Sequence, residues 1–239
     1  MDRPIFYCRQ LKQGGVVLEG DDVHHLLHVL RLKRGDNVKV FDGLGAYADA
    51  TVAEVTRKGA LLSVDVVQKA SCRQSGRVII ATSLAKGQRF DRLISKCTEI
   101  GVDHIACVLF ARTVKLAAGD KAVERYMKLA ISAAKQSGGL FLPAIDAPAG
   151  LEESLEALMK RYPEAKIVFG GFGEGAVRAS EWDSGGADVI AVIGPEGGMT
   201  EGEEQLLRGR GAVEVRLVEN VLRVETAAVA FAAVLCCRR

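Results

Sequence analysis

Two short stretches concentrate residues that could do chemistry. In residues 217–228 (LVENVLRVETAA), Arg223 and Glu225 stand between the end of an apolar strand and an alanine-rich helix. Charge at such a junction needs a reason, and two compete: a functional cation and carboxylate, or a solvated helix start whose Glu225 complements the helix dipole. In residues 192–204 (VIGPEGGMTEGEE), a glycine-rich turn follows an apolar run and opens into a helix, with Thr200 and Glu203 at capping-box spacing. A helix N-terminus behind such a turn attracts anions. Here Glu196, Glu201, Glu203 and Glu204 already fill it and would repel a phosphate. No Lys-Ser or Lys-Thr follows the glycines, and G-P-E-G-G does not fit G-x-G-x-x-G, which argues against a P-loop and a dinucleotide site. Two readings remain: close backbone approach to an uncharged or cationic ligand, such as the adenosine and sulfonium of S-adenosylmethionine, or a plain strand-to-helix turn.

The elements that must position these residues can be read from periodicity. Apolar strands are expected at 78–82, 104–110, 166–169, 188–193 and 213–217, and helices at 90–101, 121–135, 151–160, from Thr200, and from about Glu225. Strands alternating with helices imply a mostly parallel sheet with helices on both faces. Ligands gather at the carboxyl ends of such strands. The glycine turn 170–175 (GGFGEG), the turn at 194–198 and the loop after Leu217 would therefore line one pocket.

Residues 1–70 read differently. Short strands at 38–41, 49–55 and 61–67, separated by turn signals, suggest a small β-barrel or sandwich. Before them, residues 24–32 (HHLLHVLRL) fit a short helix with Leu26, Leu27, Val29 and Leu30 inward, ended by a basic run and Gly35. The polar, aperiodic stretch 69–77 places a domain boundary at 72/73. His24 and His28 fit one face of that helix, and no further ligand stands at metal spacing. Residues 136–139 (QSGG) fit a helix end.

Composition bounds the function classes. The chain has 239 residues, 49% hydrophobic and 26% charged, with a net charge of +2, so charge alone does not mark a nucleic-acid binder. The six cysteines form no C-x-x-C pair, against a zinc site or disulfide framework. No signal-peptide pattern opens the chain, and the longest apolar run, 227–237, is too short for a bilayer. A soluble cytoplasmic protein without metal is expected.

Five motifs in order over nearly the whole chain, at 24–43 (HHLLHVLRLKRGDNVKVFDG), 86–105 (KGQRFDRLISKCTEIGVDHI), 133–143 (AAKQSGGLFLP), 193–203 (IGPEGGMTEGE) and 221–228 (VLRVETAA), resemble the RsmE-type 16S ribosomal RNA uridine-N3 methyltransferases of the SPOUT superfamily. The resemblance implies a PUA-like β-barrel over 1–72 and, over 73–239, an α/β methyltransferase domain with a deep trefoil knot. It also implies a homodimer and a 16S ribosomal RNA or small-subunit substrate. S-adenosylmethionine would lie against Phe169, Gly170 and Gly171, then Ile193, Gly194, Pro195, Glu196, Gly197 and Gly198, then Leu217, Val218, Val221, Leu222 and Arg223. On motif position, Arg223 is the candidate to stabilise the developing uracil anion, and Glu225 or Glu99 the candidate proton acceptor. Phosphates would meet Arg3, Arg9, Arg31, Lys33 and Arg34 in the first domain and Lys86, Arg89, Arg92 and Arg112 in the second, or these are solvated surface charges.

The chain departs from the family pattern at Lys135, where Glu is usual, at Gly139, where Arg is usual, and at Val218, where Gly is usual. Two other classes therefore stay open: a nucleotide-dependent α/β enzyme such as a dehydrogenase, and an RNA-binding homologue with a different target or no activity.

Overall fold

The computed structural model describes residues 3–56, 59–72, 74–113 and 120–238. Arg73, at the expected boundary, lies outside them. The chain divides into two compact units, Met1–Cys72 with Ala134–Leu142, and Arg73–Ala133 with Pro143–Arg239. The boundary at 72/73 expected from the sequence puts 134–142 in the second domain, whereas these residues cluster with the first unit.

The first unit holds β1 (Ile5–Tyr7), β2 (Gly14–Leu18), α1 (Asp21–His24), β3 (Asn37–Phe41), β4 (Ala46–Val55), β5 (Ala60–Val64) and β6 (Gln68–Lys69). The sheet runs β1-β3-β4-β5-β2, with β6 on β4; all pairs are antiparallel except β1 with β3. Alternating residues such as Val38 and Val40, or Ala48, Ala50 and Val52, supply its core, which Leu26 closes. The expected helix over 24–32 is corrected: α1 passes into a π-turn over His25–Val29, with the Leu30 amide on the His25 carbonyl at 3.0 Å. The wider turn changes the angular phase. Leu26 stays buried, but Val29 and Leu30 turn outward to 61% and 36% exposure.

The second unit holds β7 (Val78–Ser83), α2 (Gln88–Ile100), β8 (His104–Leu109), the first part of α3 (Asp120–Ser137), β9 (Ala144–Ile145), β10 (Ala149–Gly150), α4 (Leu151–Arg161), β11 (Lys166–Gly170), β12 (Val177–Arg178), β13 (Val189–Ile193), α5 (Glu201–Gly209), β14 (Val213–Arg216) and α6 (Val224–Cys236). The sheet order is β10-β8-β7-β13-β11-β14-β12, with β9 on β8, and every pair is parallel. β7 and β13 are buried along their whole length, as central strands covered on two faces must be. Leu155 and Leu158 of α4 and Leu207 of α5 pack with Ile79, Ile167 and Ile190 in one core. α2 and α6 pack together, with α6 against β7 and β13. Among the described residues no helix is long and apolar enough to cross a membrane, and no group of three His, Cys, Asp or Glu side chains could hold a metal ion.

Candidate functional site

The adjacent strands β13, β11 and β14 end in the three loops singled out in the sequence, and between those loops lies a cavity of about 560 Å³. That size suits a small-molecule ligand. Gly170, Gly171, Ile193, Gly194, Pro195, Glu196, Gly197, Gly198, Leu217, Val218, Val221 and Leu222 line it. Phe169 and Arg223 stand outside the lining: Phe169 is buried beneath it, and Arg223 is the exposed N-cap residue of α6, between Leu222 and Val224, which do face the cavity.

The central turn is fixed from within and from behind. The Gly198 amide donates to the Pro195 carbonyl at 2.9 Å, closing a tight turn in which Gly198 has φ 74°, a conformation suited to glycine. Thr200 then caps α5 in a full capping box. Its hydroxyl accepts the Glu203 amide at 3.3 Å, and Oε2 of Glu203 accepts the Thr200 amide at 2.7 Å. Oε1 of Glu203 accepts the Ala111 amide at 2.7 Å, binding the loop after β8 to the same helix start. Arg112 completes the brace by donating to the Gly197 carbonyl at 2.9 Å. Burial would raise the Glu203 carboxyl, but the amides of Thr200 and Ala111, the Thr200 hydroxyl and the Arg112 charge outweigh it and hold it below the ordinary glutamate range.

Sequence reasoning missed a second brace. Glu214, in the middle of β14, is 8% exposed and accepts the Gly173 amide at 2.7 Å on Oε1 and Arg208 of α5 at 2.6 Å on Oε2. The Arg208 guanidinium also lies 5.0 Å from the centre of the Phe169 ring. Burial pushes Glu214 up, and the Arg208 and Gly173 hydrogen bonds, with the charges of Arg208 and Arg216, bring it below its ordinary value. A Cβ on Gly171 would sit 2.1 Å from Oε1 of Glu214, so the loop can lie on this carboxylate only with glycine there. The available signal was a glutamate between valines in a strand, since a buried glutamate needs partners.

Among the described residues the cavity's charged lining is Glu196, Glu204 and Glu214 against Arg208 alone. Such a surface favours a ligand with positive charge and opposes a polyphosphate. The remaining wall is glycine backbone and apolar side chains, including Phe172, Val215 and Phe231, which suit an uncharged ring.

The candidate proton acceptors differ in their surroundings. Glu99, on α2, is held by Lys96 through contacts of 2.7 and 2.9 Å. Glu225, in the first turn of α6, has Oε2 shielded from solvent with no hydrogen-bond partner among the described residues. Among the cations, Arg9, Arg31, Lys33 and Arg34 are exposed on the first unit, and Arg3 pairs with Asp49 at 2.8 Å. Arg31 has φ 54°, the one positive value outside glycine among the described residues. On the second unit Lys86 and Arg92 are exposed, Arg89 reaches Glu196 at 3.5 Å, and Arg112 is engaged as described.

A family model described as an RNA methyltransferase domain matches residues 67–236, and one described as an RNA methyltransferase PUA domain matches residues 18–65. The ribosomal RNA small subunit methyltransferase E of Synechocystis is 30% identical over 219 residues, covering 91% of this chain and 71% of that protein. The crystal structure of a ribosomal RNA small subunit methyltransferase E from Neisseria gonorrhoeae, bound to S-adenosyl methionine, superposes with a TM-score of 0.85 at 29% identity, covering 97% of this chain and 95% of that one. A probable rRNA-methyltransferase from Porphyromonas gingivalis gives 0.86 at 29% identity, covering 99% and 100%.

Proposed function

The chain belongs to the ribosomal RNA small subunit methyltransferase E family, and from that membership we propose that it methylates N3 of a uridine in 16S ribosomal RNA, using S-adenosylmethionine. The observation that carries the reading is the 560 Å³ cavity at the ends of β13, β11 and β14, with its three carboxylates against one guanidinium. At neutral pH the cofactor carries two positive charges and one negative, which this lining complements. The glycine turns 170–173 and 194–198 with Leu217, Val218, Val221 and Leu222 would hold it. When bound, it supplies an electrophilic methyl group.

The chain's own residues have two tasks: to orient uracil N3 and to take its weakly acidic proton. Positioning supplies much of the rate in such a displacement. Arg223, exposed beside the cavity wall, is suited to stabilise negative charge on the uracil carbonyl oxygens. Glu225, two residues on, has a shielded carboxylate oxygen with no hydrogen-bond partner among the described residues, whereas Glu99 is occupied by Lys96, so Glu225 is the acceptor proposed, although neither lines the cavity. N3 lies on the Watson–Crick edge, so the target base must be unpaired or extruded. The exposed cations Arg9, Arg31, Lys33 and Arg34, with Lys86 and Arg92, are suited to meet phosphates, and the left-handed Arg31 marks a position held against its backbone preference. Arg89 and Arg112 are read instead as supports of the 194–198 turn.

The same family reading gives a trefoil-knotted second unit, a cytoplasmic location beside the ribosomal RNA, and a homodimer. The dimer is supported by α6, where Val229, Ala230 and Ala233 keep part of their apolar surface uncovered in the single chain. Mass spectrometry of ribosomal RNA from cells with and without this protein tests the function. Loss of a 3-methyluridine is expected without it; an unchanged nucleoside profile would refute the reading.

A further inference from the structure

Behind the Leu217–Val218 wall lies a smaller cavity of about 260 Å³, and both residues line the two cavities at once. Its charge is opposite to that of the first: among the described residues Arg178 of β12, Arg216 at the end of β14 and Arg238 just beyond α6 line it, against Glu219 alone. Glu219 is 73% exposed and stands 3.9 Å from Arg178 and 3.8 Å from Arg216, contacts that water competes with readily. Arg216 and Arg238 are also held in place by backbone carbonyls. Arg238 donates to the carbonyls of Ser180, at 3.0 Å, and Trp182, while Arg216 donates to the Phe172 carbonyl at 3.0 Å. Guanidinium forks match the geometry of phosphate.

We propose that this cavity takes a backbone phosphate of the RNA near the target uridine, held by Arg178, Arg216 and Arg238. The proposal rests on the reading that the chain acts on RNA. A nucleic-acid phosphate fits better than a free anion, because Arg178 is 68% exposed and leaves the cavity open to a long chain, and because the cofactor cavity lies across one wall. Arg216 also grips the loop that lines that cofactor cavity. Phosphate occupancy would thus steady the wall that both ligands share.

The test is binding of the full chain to a labelled ribosomal RNA fragment across a salt series, beside calorimetric titration with S-adenosylmethionine and with inorganic phosphate. For Arg178→Glu the expected result is RNA affinity lower by about ten-fold and a salt slope smaller by about one, with cofactor affinity unchanged. Arg178→Lys should recover most of the loss, and Arg238→Glu should reproduce it. Unchanged RNA affinity and salt slope in both charge-reversed variants would overturn the proposal. So would inorganic phosphate binding that depends on Arg178 while RNA binding does not. If RNA binding depends on Arg178 yet the wild-type protein methylates no ribosomal RNA, the phosphate site stands and the proposed function falls. If methylation proceeds while Arg178→Glu changes nothing, the function stands and the site falls.

Discussion

Arg208 and Glu214 meet at 2.6 Å, and the other oxygen of the same carboxylate holds the Gly173 amide, so one side chain joins α5, β14 and the loop after β11. That loop forms one wall of the candidate cofactor cavity. Glu214→Ala should weaken S-adenosylmethionine binding by about ten-fold, the scale of a lost hydrogen bond to a buried charged group. Gly171→Ala should also weaken it, because its new Cβ meets Glu214 Oε1 at 2.1 Å. In the double variant the clash is gone, so the combined loss should be smaller than the product of the two. Calorimetry on the four proteins checks this; a fully multiplicative loss would show that the two residues act separately.

The same carboxylates set an acid limit. Glu203 and Glu214 both titrate below the ordinary glutamate range in the folded chain. As pH falls, the unfolded chain takes up their protons first. Their stabilisation is therefore complete above the ordinary glutamate range and is lost as pH drops through that range towards the depressed folded values. Thermal unfolding followed from neutral pH downward should show Tm steady at first and then falling, with a shallower fall in Glu203→Gln/Glu214→Gln. Identical profiles for the two proteins would contradict it.

Lys135, one of the positions that departs from the family pattern, has a local answer. It is an ion-pair partner of Asp22 with side-chain exposures of only 18% and 21%, and its ammonium lies 5.3 Å from the centre of the Phe6 ring. Lys135→Ala leaves Asp22 half-buried without its cation and should cost about 1–2 kcal/mol in denaturant unfolding. Asp22→Asn in the same chain should recover part of that. No recovery would mean that the lysine stem, and not its charge, is what matters.

Thiol reactivity should divide five of the six cysteines. Burial pushes Cys8, Cys97 and Cys107 up to about 12, so their thiolates are scarce at neutral pH, whereas Cys72 and Cys237 are exposed. Brief iodoacetamide treatment of the native protein, read by mass spectrometry, should label Cys72 and Cys237 and spare the three buried thiols until denaturant is added. Early labelling of Cys97 would show that α2 opens from its neighbours.

Much of the second unit was legible because its strands are apolar throughout and its helices have strong faces; observed bounds such as Val189–Ile193 and Leu151–Arg161 lie within a residue of expectation. The two- and three-residue strands β1, β6, β9, β10 and β12 were not, since so short a run has no period to read. At Val29 the helical period misled, because a π-turn changes the phase without changing composition. At the cavity, the glycine turns were visible as sequence, whereas Glu214 and Arg208 were not: their pairing joins positions on two elements, and only folding shows that they touch.

The residence of 134–142 in the first unit has a practical consequence for dissection. Leu142 donates to the Gly43 carbonyl at 2.9 Å, Gly45 donates to the Leu140 carbonyl at 3.1 Å, and Lys135 meets Asp22, so the first unit is assembled from two stretches of chain separated by all of Arg73–Ala133. A stop codon after Cys72 would deprive it of these contacts, and a start at Arg73 would give the second half a stretch with nothing to fold on. Expressing the units separately calls for a spliced gene, with 134–142 tethered behind 1–72 and a short linker closing the gap it leaves between Ala133 and Pro143.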